Sequence, residues 1–266
     1  MSLEKTSIAL ALFASLTVSS VSQAALNFDQ ELQTYKTFAV DKIDGLVTQT
    51  QQFVDYLNAG KIDEAKALYP LVRMNFEAAE PIAESFGDLD PRIDARKADL
   101  EPGEQWTGFH PIEEILWVKN TTQGTEKYSG QLMSDVKELR AKVSTVEVTP
   151  ELMVQGAVDL LNEVSTSKVS GEEEIFSHTD LYDFQGNIDG AEKIFVIFKP
   201  KLTELNADLV QTLELRFAEV NQLLAAQKVD DKFKFYTELN QDEIAALAEA
   251  VNKLGEPLAQ MGIILG

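Results

Sequence analysis

The chain has 266 residues, and its 44 acidic and 23 basic side chains give a formal net charge of −21. A charge of this sign repels nucleic acids and anionic lipids and attracts cations, so nucleic acid is excluded as a partner. Cysteine is absent and His110 and His178 are the only histidines, which excludes thiol catalysis, disulfides and metal sites built from thiolates or from several imidazoles.

The N-terminus is predicted to be a secretory signal. Lys5 supplies a positive charge, residues 8–18 are apolar, and small residues lead to Ala24, after which cleavage is expected. The apolar segment is too short to span a bilayer comfortably, and no later stretch is long and apolar enough, so stable membrane insertion is not expected. Because no cysteine follows the signal, no lipid anchor is expected either. The predicted division is therefore a signal peptide at 1–24 and a helical domain at 25–266.

The remaining sequence has helical periodicity. The spacing of its apolar residues predicts helices over 28–57, 62–86, 110–118, 127–144, 150–168, 190–198, 201–227 and 241–261. Pro70 and Pro81 are expected to kink the second helix or to end it locally. Residues 87–107 and 169–187 are polar and irregular and are predicted as loops, and strand-like alternation is hard to find. About eight helices with short turns predict an all-α fold of two four-helix units.

The first candidate site is the His110-Pro111-Ile112-Glu113 segment. Pro111 suits the first turn of a helix, where its missing N–H is not needed. His110 and Glu113 then lie three residues apart on one helix face, where an imidazole and a carboxylate can bind the same ion. With only two histidines in the chain, other ligands must be mostly oxygen atoms, which suit iron, manganese or calcium. The alternative is a histidine at a helix start that is hydrogen-bonded to its neighbour.

A second candidate site is a polar stripe on the second helix. Tyr69, Arg73, Glu77 and Glu80 fall within a narrow arc of the helix surface, and the two glutamates repeat the three-residue ligand spacing. An exposed charged face, with Arg73 and Glu77 as an ordinary helix pair, is the alternative.

Two polar segments add further carboxylates. Residues 171–174 read Gly-Glu-Glu-Glu, and crowding of this kind raises carboxylate pKa values unless a cation relieves it. His178, which follows, is interpreted as a turn residue rather than a ligand. In the loop at 87–107, Asp94 is the aspartate expected to fold over a site, whereas Asp88 and Asp90 are attributed to turn formation.

Together, these segments resemble the imelysin-like EfeO/EfeM family in order and spacing. The stretch 106–117 is similar to the His-x-x-Glu signature of the family, and Tyr69-x-x-x-Arg73 with Glu77, Glu80 and Pro81 resembles the segment before that signature. Residues 88–94 and 171–191 match the EfeO branch. The resemblance covers the chain from about residue 27 to its end.

The resemblance implies two four-helix bundles around a central cleft. It also implies a periplasmic protein that captures iron, with zinc, copper or manganese as alternatives, and delivers it to an inner-membrane permease. A periplasmic peroxidase of the same system is a further expected partner. The implied ligands are His110, Glu113, Glu77, Glu80, Asp94 and one of Glu172 or Glu173, with Glu173 preferred and with Tyr69 and Arg73 supporting them. The chain resembles the short form without a cupredoxin domain, so intrinsic oxidation of iron is not expected.

Two other functions remain open at this stage. A metal-dependent peptidase of the imelysin type would need an open metal position and a general base such as Glu114 or Glu80. A saccharide-binding or partner-binding helical protein would use aromatic side chains as stacking surfaces, although core packing explains them more simply. The aromatic candidates are Tyr69, Trp106, Trp117 and Tyr182. Nucleophile motifs, phosphate loops and dinucleotide fingerprints are absent from the sequence, and a binding protein rather than an enzyme is the leading prediction.

Overall fold

The computed structural model describes residues 27–166 and 168–265, and within them the chain is almost entirely helical. The helices are α1 Asp29–Asn58, α2 Ile62–Ala83, α3 Leu89–Asp94, α4 His110–Val118, α5 Glu126–Val143, α6 Pro150–Thr166, α7 Asp180–Leu205, α8 Ala207–Ala225 and α9 Gln241–Leu265. Two short strands, β1 Lys228–Val229 and β2 Lys232–Phe233, pair as an antiparallel hairpin. The predicted all-α class is confirmed. The predicted signal peptide at 1–24 lies outside the described residues.

The apolar periodicity places one face of each long helix in a common core. In α1, for example, Tyr35, Ala39, Ile43 and Leu46 follow one another at helical spacing and are buried. Helix α1 packs on α2 and α5, whereas α6 and α8 pack on α9. Helix α7 contacts α1, α2, α6, α8 and α9, and buried side chains from all of these helices form one cluster. The division into two four-helix bundles stays a prediction.

Among the residues that the structure describes, no helix combines the length and the apolar character needed to cross a membrane.

Helix α2 continues through Pro70, so this residue does not end the helix, and the alternative prediction of a kink stays a prediction. Proline removes one backbone hydrogen bond from a helix interior, but Pro70 is buried, and its packing offsets that loss. Pro81 lies near the end of α2 and packs against α6. A Cβ atom at Gly156 of α6 would lie 2.4 Å from the Cβ of Pro81, which shows how closely the two helices approach.

Both predicted loops contain helix, and one predicted helix break is misplaced. The segment 87–107 contains the short helix α3, and 169–187 contains the first turns of α7, which begins at Asp180. Pro200 lies inside α7, and the break before α8 falls at Asn206 instead. The side chain of Asn206 caps α8 by accepting a hydrogen bond from the backbone N–H of Leu209 at 3.0 Å.

Gly108 brings the start of α4 against the end of α3. Its φ of 88° lies in the left-handed region that favours glycine. A Cβ atom at this position would lie 2.1 Å from the carbonyl oxygen of Ile93. The neighbouring Phe109 N–H donates a hydrogen bond of 2.9 Å to that same oxygen. Asp94 follows Ile93 and His110 follows Phe109, so this contact brings Asp94 and His110 close together.

Two glycines of α7 allow close packing on α2. A Cβ atom at Gly186 would lie 2.6 Å from the Cβ of Glu77, and one at Gly190 would lie 2.8 Å from the carbonyl oxygen of Ala78. Because a backbone atom cannot move aside as a side chain can, the spacing of α2 and α7 depends on Gly190. This spacing sets the distance between the polar residues that the two helices contribute to the site described below.

We expect Gly190→Ala to destabilise the protein by about 1–3 kcal/mol, because the added methyl group overpacks the contact between α2 and α7. The matched control is Gly130→Ala in α5, where a Cβ atom would meet no neighbour within 4 Å. That control should stabilise the protein by about 0.5–1 kcal/mol through helix propensity. Urea unfolding of both variants measures the difference, and a neutral or stabilising Gly190→Ala would contradict the packing argument.

Candidate metal centre

Arg73 on α2 lies at the centre of a buried cluster of carboxylates. Its side chain is fully buried and forms ion pairs with Glu77, Asp94, Glu173, Glu174 and Asp183. Its Nη2 lies 2.5 Å from Oε1 of Glu77 and 3.1 Å from Oε1 of Glu173, and its Nε lies 3.0 Å from Oδ1 of Asp183. These acids come from α2, the end of α3, the segment before α7 and α7 itself, so one guanidinium connects four parts of the chain.

The electrostatics of this cluster are set by burial and by mutual attraction. Burial alone would lower the pKa of Arg73, but Asp183, Glu77 and Glu174 outweigh it and raise that pKa well above its usual range. For Glu174 and Asp183 burial is the stronger effect, and it raises the pKa of both carboxyl groups well above the ordinary value. The arginine is therefore firmly charged, whereas some of its acidic neighbours retain protons.

His110 begins α4 beside this cluster. Its Nδ1 lies 3.3 Å from Oε2 of Glu113, and its Nε2 lies 3.5 Å from Oδ1 of Asp94 and 3.8 Å from Oε1 of Glu173. The imidazole is almost fully buried, yet its Nε2 has no hydrogen-bond partner among the described residues, and neither does Oε2 of Glu173. Buried polar atoms in native proteins normally have partners, so these two atoms are the kind that a bound ion would satisfy.

Glu113 is held in place by the backbone of the segment before α7. Its Oε1 accepts hydrogen bonds from the backbone N–H groups of Phe176 at 3.0 Å and Ser177 at 2.7 Å. Burial raises the pKa of Glu113, but the hydrogen bond and the charge of His110 outweigh it and lower the pKa. The carboxylate is thus ionised, fixed and directed at Nδ1 of the imidazole.

Lys168 forms a second cationic centre on the other side of Glu77. Its ammonium group is fully buried and lies 2.5 Å from Oε2 of Glu77 and 3.8 Å from Oε2 of Glu80. Asn187 on α7 donates hydrogen bonds of 2.9 Å to the same two oxygen atoms. Glu163 on α6 also lies near the ammonium, at 3.5 Å.

The two glutamates of this second centre have opposite protonation behaviour. Burial raises the pKa of Glu77, but Lys168 and Arg73 outweigh it and lower the pKa to about 2. For Glu80 burial prevails over the attraction of Lys168, and the pKa is raised well above its usual value. Glu77 therefore carries the negative charge that Arg73 and Lys168 share.

The structure brings the predicted ligand candidates together. Three sets of side-chain atoms lie close enough to hold an ion: Asp94, His110 and Glu173; His110, Glu113 and Glu174; and Glu77, Glu80 and Asp94. Tyr69 and Arg73, predicted as supporting residues, are buried in the same cluster. Glu173 faces His110 and Arg73, whereas Glu172 is exposed.

Sequence reasoning did not select four partners of this cluster. Lys168 was included only as the end of a helix, and Asn187 carried no signal that separates it from other polar residues. Glu174 was one of the crowded acids and Asp183 was only part of the segment 171–191, although both contact Arg73. His178, interpreted as a turn residue, has a left-handed φ of 58° and accepts a backbone hydrogen bond from Tyr236 through its carbonyl oxygen.

A cavity of about 220 Å³ adjoins His110 and Glu173. Its wall includes Arg96, Trp106 and Phe176, with the exposed Glu172 at its edge. His110 therefore contributes to the wall of a cavity while its Nε2 is buried.

The aromatic residues considered for sugar stacking are divided between different places. Tyr69 is fully buried, packs against Phe109 and Trp117, and donates a hydrogen bond to Oε1 of Glu174 at 3.2 Å. Trp117 and Tyr182 line a separate groove of about 540 Å³ beside the β-hairpin. Saccharide binding would therefore concern that groove and not the carboxylate cluster.

Asp90 differs from its neighbour Asp88 in a way that the sequence did not indicate. Burial, with a contribution from Glu163, raises the pKa of Asp90 to about 6. Asp88 is exposed, and a hydrogen bond from Arg92 lowers its pKa. The two aspartates therefore respond to pH in opposite ways.

We expect Asp90→Asn to reduce the pH dependence of the free energy of unfolding between about pH 4 and pH 6. An aspartate whose pKa is higher in the folded than in the unfolded chain contributes stability at low pH, and that stability is lost as the pH rises through about 6. Asp88→Asn is the matched control and should leave this window unchanged, because a lowered pKa acts only at lower pH. Urea unfolding across this range tests the pair, and equal curves for wild type and Asp90→Asn would contradict the assignment.

Comparisons with known proteins identify the family and agree with the fold. The family model for imelysin, Peptidase_M75, matches residues 31–261. An Efem/EfeO family lipoprotein of Staphylococcus haemolyticus is 47% identical over 250 residues, which cover 92% of this chain and 87% of the relative. One from Staphylococcus aureus strain MSSA476 is 45% identical over 240 residues, with coverage of 88% and 84%.

The fold has a solved counterpart. A protein from Parabacteroides distasonis, named as a candidate iron-regulated protein A precursor, superimposes with a TM-score of 0.71 at 14% identity, covering 92% of this chain and 97% of the other. At that identity the likeness concerns the fold alone. From the family model and the two staphylococcal relatives we conclude that the chain belongs to the imelysin-like EfeO/EfeM family.

Proposed function

We propose that the chain is an exported binding protein that captures one iron ion between Asp94, His110 and Glu173 and delivers it to a membrane permease. The observation that carries this proposal is the convergence of three side chains on one point beside a cavity, with Nε2 of His110 buried and unpartnered. Iron as the cargo follows from the iron-uptake role of the family. Export rests on the predicted signal peptide and on relatives that are named lipoproteins.

The chemistry of the three ligands suits a first-row metal. One imidazole nitrogen and two carboxylates form a mixed set that binds ferrous iron, manganese and zinc, whereas calcium and magnesium prefer oxygen ligands only. Zinc, copper and manganese are therefore the competitors to be compared with iron. The set leaves coordination positions free towards the cavity, which allows an ion to enter and to leave.

Glu113 orients the histidine in this proposal. A carboxylate at Nδ1 keeps the proton on that nitrogen and leaves the lone pair of Nε2 free for a metal. The two backbone N–H groups that bind Oε1 of Glu113 fix this orientation. The sequence-based prediction that Glu113 is itself a ligand stays a prediction, and the variant described below tests it.

Glu77 balances positive charge in the same proposal, and Glu80 lies beside it. Both are engaged by Lys168 and Asn187, and Glu77 also pairs with Arg73. Binding a metal there would first require Lys168 to leave. Arg73 also pairs with Asp94 and Glu173, but the point between Asp94, His110 and Glu173 offers an imidazole nitrogen that has no hydrogen-bond partner among the described residues. We therefore assign the ion to the His110 side of the cluster.

A binding protein explains the site better than a peptidase does. A metallopeptidase needs a free general base next to the open metal position. Glu80, one of the two candidates, lies beside Lys168, and the other, Glu114, forms an ion pair with Lys97 at 3.2 Å. The family model takes its name from a peptidase family, so hydrolysis of a peptide library by the metal-loaded protein, abolished by a chelator, is the result that would replace this proposal.

We expect His110→Ala to abolish tight binding of ferrous iron, because it removes the only nitrogen ligand. The matched control is His178→Asn, which removes the other histidine and keeps a residue that tolerates the left-handed backbone at that position. Anaerobic calorimetric titration with ferrous iron, manganese, zinc and copper compares both variants with wild type. Normal iron binding by His110→Ala would refute the site, and loss of binding in the control would show that the wrong histidine was chosen.

Glu113→Gln should weaken metal binding by about 10–100-fold without abolishing it, which is the usual effect of losing a carboxylate behind a ligating histidine. The stoichiometry should stay unchanged, because the three ligands remain. The same titration distinguishes the two roles of this residue. A loss as complete as that of His110→Ala would show that Glu113 is a ligand, and an unchanged affinity would show that it has neither role.

A further inference from the structure

Lys168 is a buried cation in a position where its charge has a specific effect. It lies in a short helical turn between α6 and the acidic segment 172–174, and its side chain is fully buried. A buried lysine costs several kcal/mol unless its charge is paired. The nearby carboxylates supply that pairing, since the ammonium contacts Glu77, Glu80 and Glu163.

The contacts of Lys168 are those of a bound cation. Glu77 and Glu80 are three residues apart on α2, and their Oε2 atoms converge on the same two donors, the ammonium of Lys168 and the amide of Asn187. Carboxylates at this spacing, together with Asp94, lie close enough to hold a metal ion. The ammonium is beside this set and competes with any ion for its oxygen atoms.

The charge state of Lys168 fits this role. Burial by itself would lower its pKa, but Glu77 and Glu80 outweigh burial and raise the pKa well above the usual range for lysine. A divalent ion next to this ammonium group would meet electrostatic repulsion at short distance in a poorly solvated environment.

We infer that Lys168 occupies a second cation subsite, formed by Glu77 and Glu80, and thereby limits the chain to one metal ion. This inference rests on the proposed function and deepens it, because it sets the stoichiometry of the cargo. It also identifies Lys168 as the residue that determines whether the same set of carboxylates binds one ion or two.

The test is a change of stoichiometry with manganese as the probe. Wild type should bind one Mn²⁺ per chain, and Lys168→Met, which removes the charge and keeps an apolar stem, should bind two. Lys168→Arg keeps the charge and should bind one. Lys61→Met removes an exposed lysine whose ion-pair partner is Glu64 and should also bind one. Equilibrium dialysis followed by metal analysis gives the counts, and circular dichroism verifies the fold of each variant.

A double variant tests where the second ion binds. Adding Glu80→Gln to Lys168→Met should return the count from two to one, because it removes a carboxylate of the subsite and none of the three proposed ligands of the first ion. A folded Lys168→Met protein that binds one ion would overturn the inference. A wild-type protein that binds two ions would also overturn the inference, whether or not Lys168→Met folds.

Failure of the proposed function gives a different pattern. If wild type binds no Mn²⁺ and Lys168→Met binds one, the His110 site is refuted while the role of Lys168 as the occupant of a cation subsite stands. If neither protein binds Mn²⁺, both are refuted.

Discussion

The buried ion pairs of Arg73 are the interaction on which the site depends. A guanidinium removed from water is stable only when carboxylates compensate its charge, and here they come from four separate parts of the chain. The acids depend on the arginine in the same way, because without it they would repel one another. These ion pairs hold α2 against its surroundings, and Asp94 and Glu173 both lie near Nε2 of His110.

The permanent charges are distributed unevenly over the cluster. Arg73 and Lys168 lie on either side of Glu77 and neutralise it. Nε2 of His110 faces Asp94 and Glu173, which also pair with Arg73. Burial raises the pKa of some of the remaining carboxyl groups, among them Glu174 and Asp183. Under the proposed function, a metal ion would compete with protons for such carboxyl groups, so its binding would be linked to proton release and favoured at higher pH.

The sequence predicted those parts of the molecule whose signals are local. The apolar spacing predicted α1 and α9, and the three-residue spacing of His110 and Glu113 predicted their common helix face. Helix α3 was missed because six residues are too few to show a period and Pro91 suggested a turn. The start of α7 was missed because Asp180 and Asp183, in its first turn, have the composition of a polar loop.

Lys168 shows most clearly what the sequence alone does not contain. A lysine at the end of a helix is normally exposed and interacts with the last carbonyl groups. This one is buried only because α2 presents Glu77 and Glu80 to it, and those residues lie far away in the chain. Its role is a property of the tertiary contact between α2, α6 and α7. Asn187 is similar, because its role comes from donating hydrogen bonds from α7 to both glutamates.

The net charge of the chain and the buried cluster act at different distances. The formal charge of −21 raises the concentration of every cation near the surface, an effect that salt screens within about 10 Å. It cannot distinguish one metal from another. Under the proposed function, selection is left to the cluster, where burial excludes salt and a single imidazole, held by Glu113, adds the one ligand that alkaline-earth ions do not favour. Surface acids would then increase the supply of ions, and the residues around Arg73 would determine which ion remains.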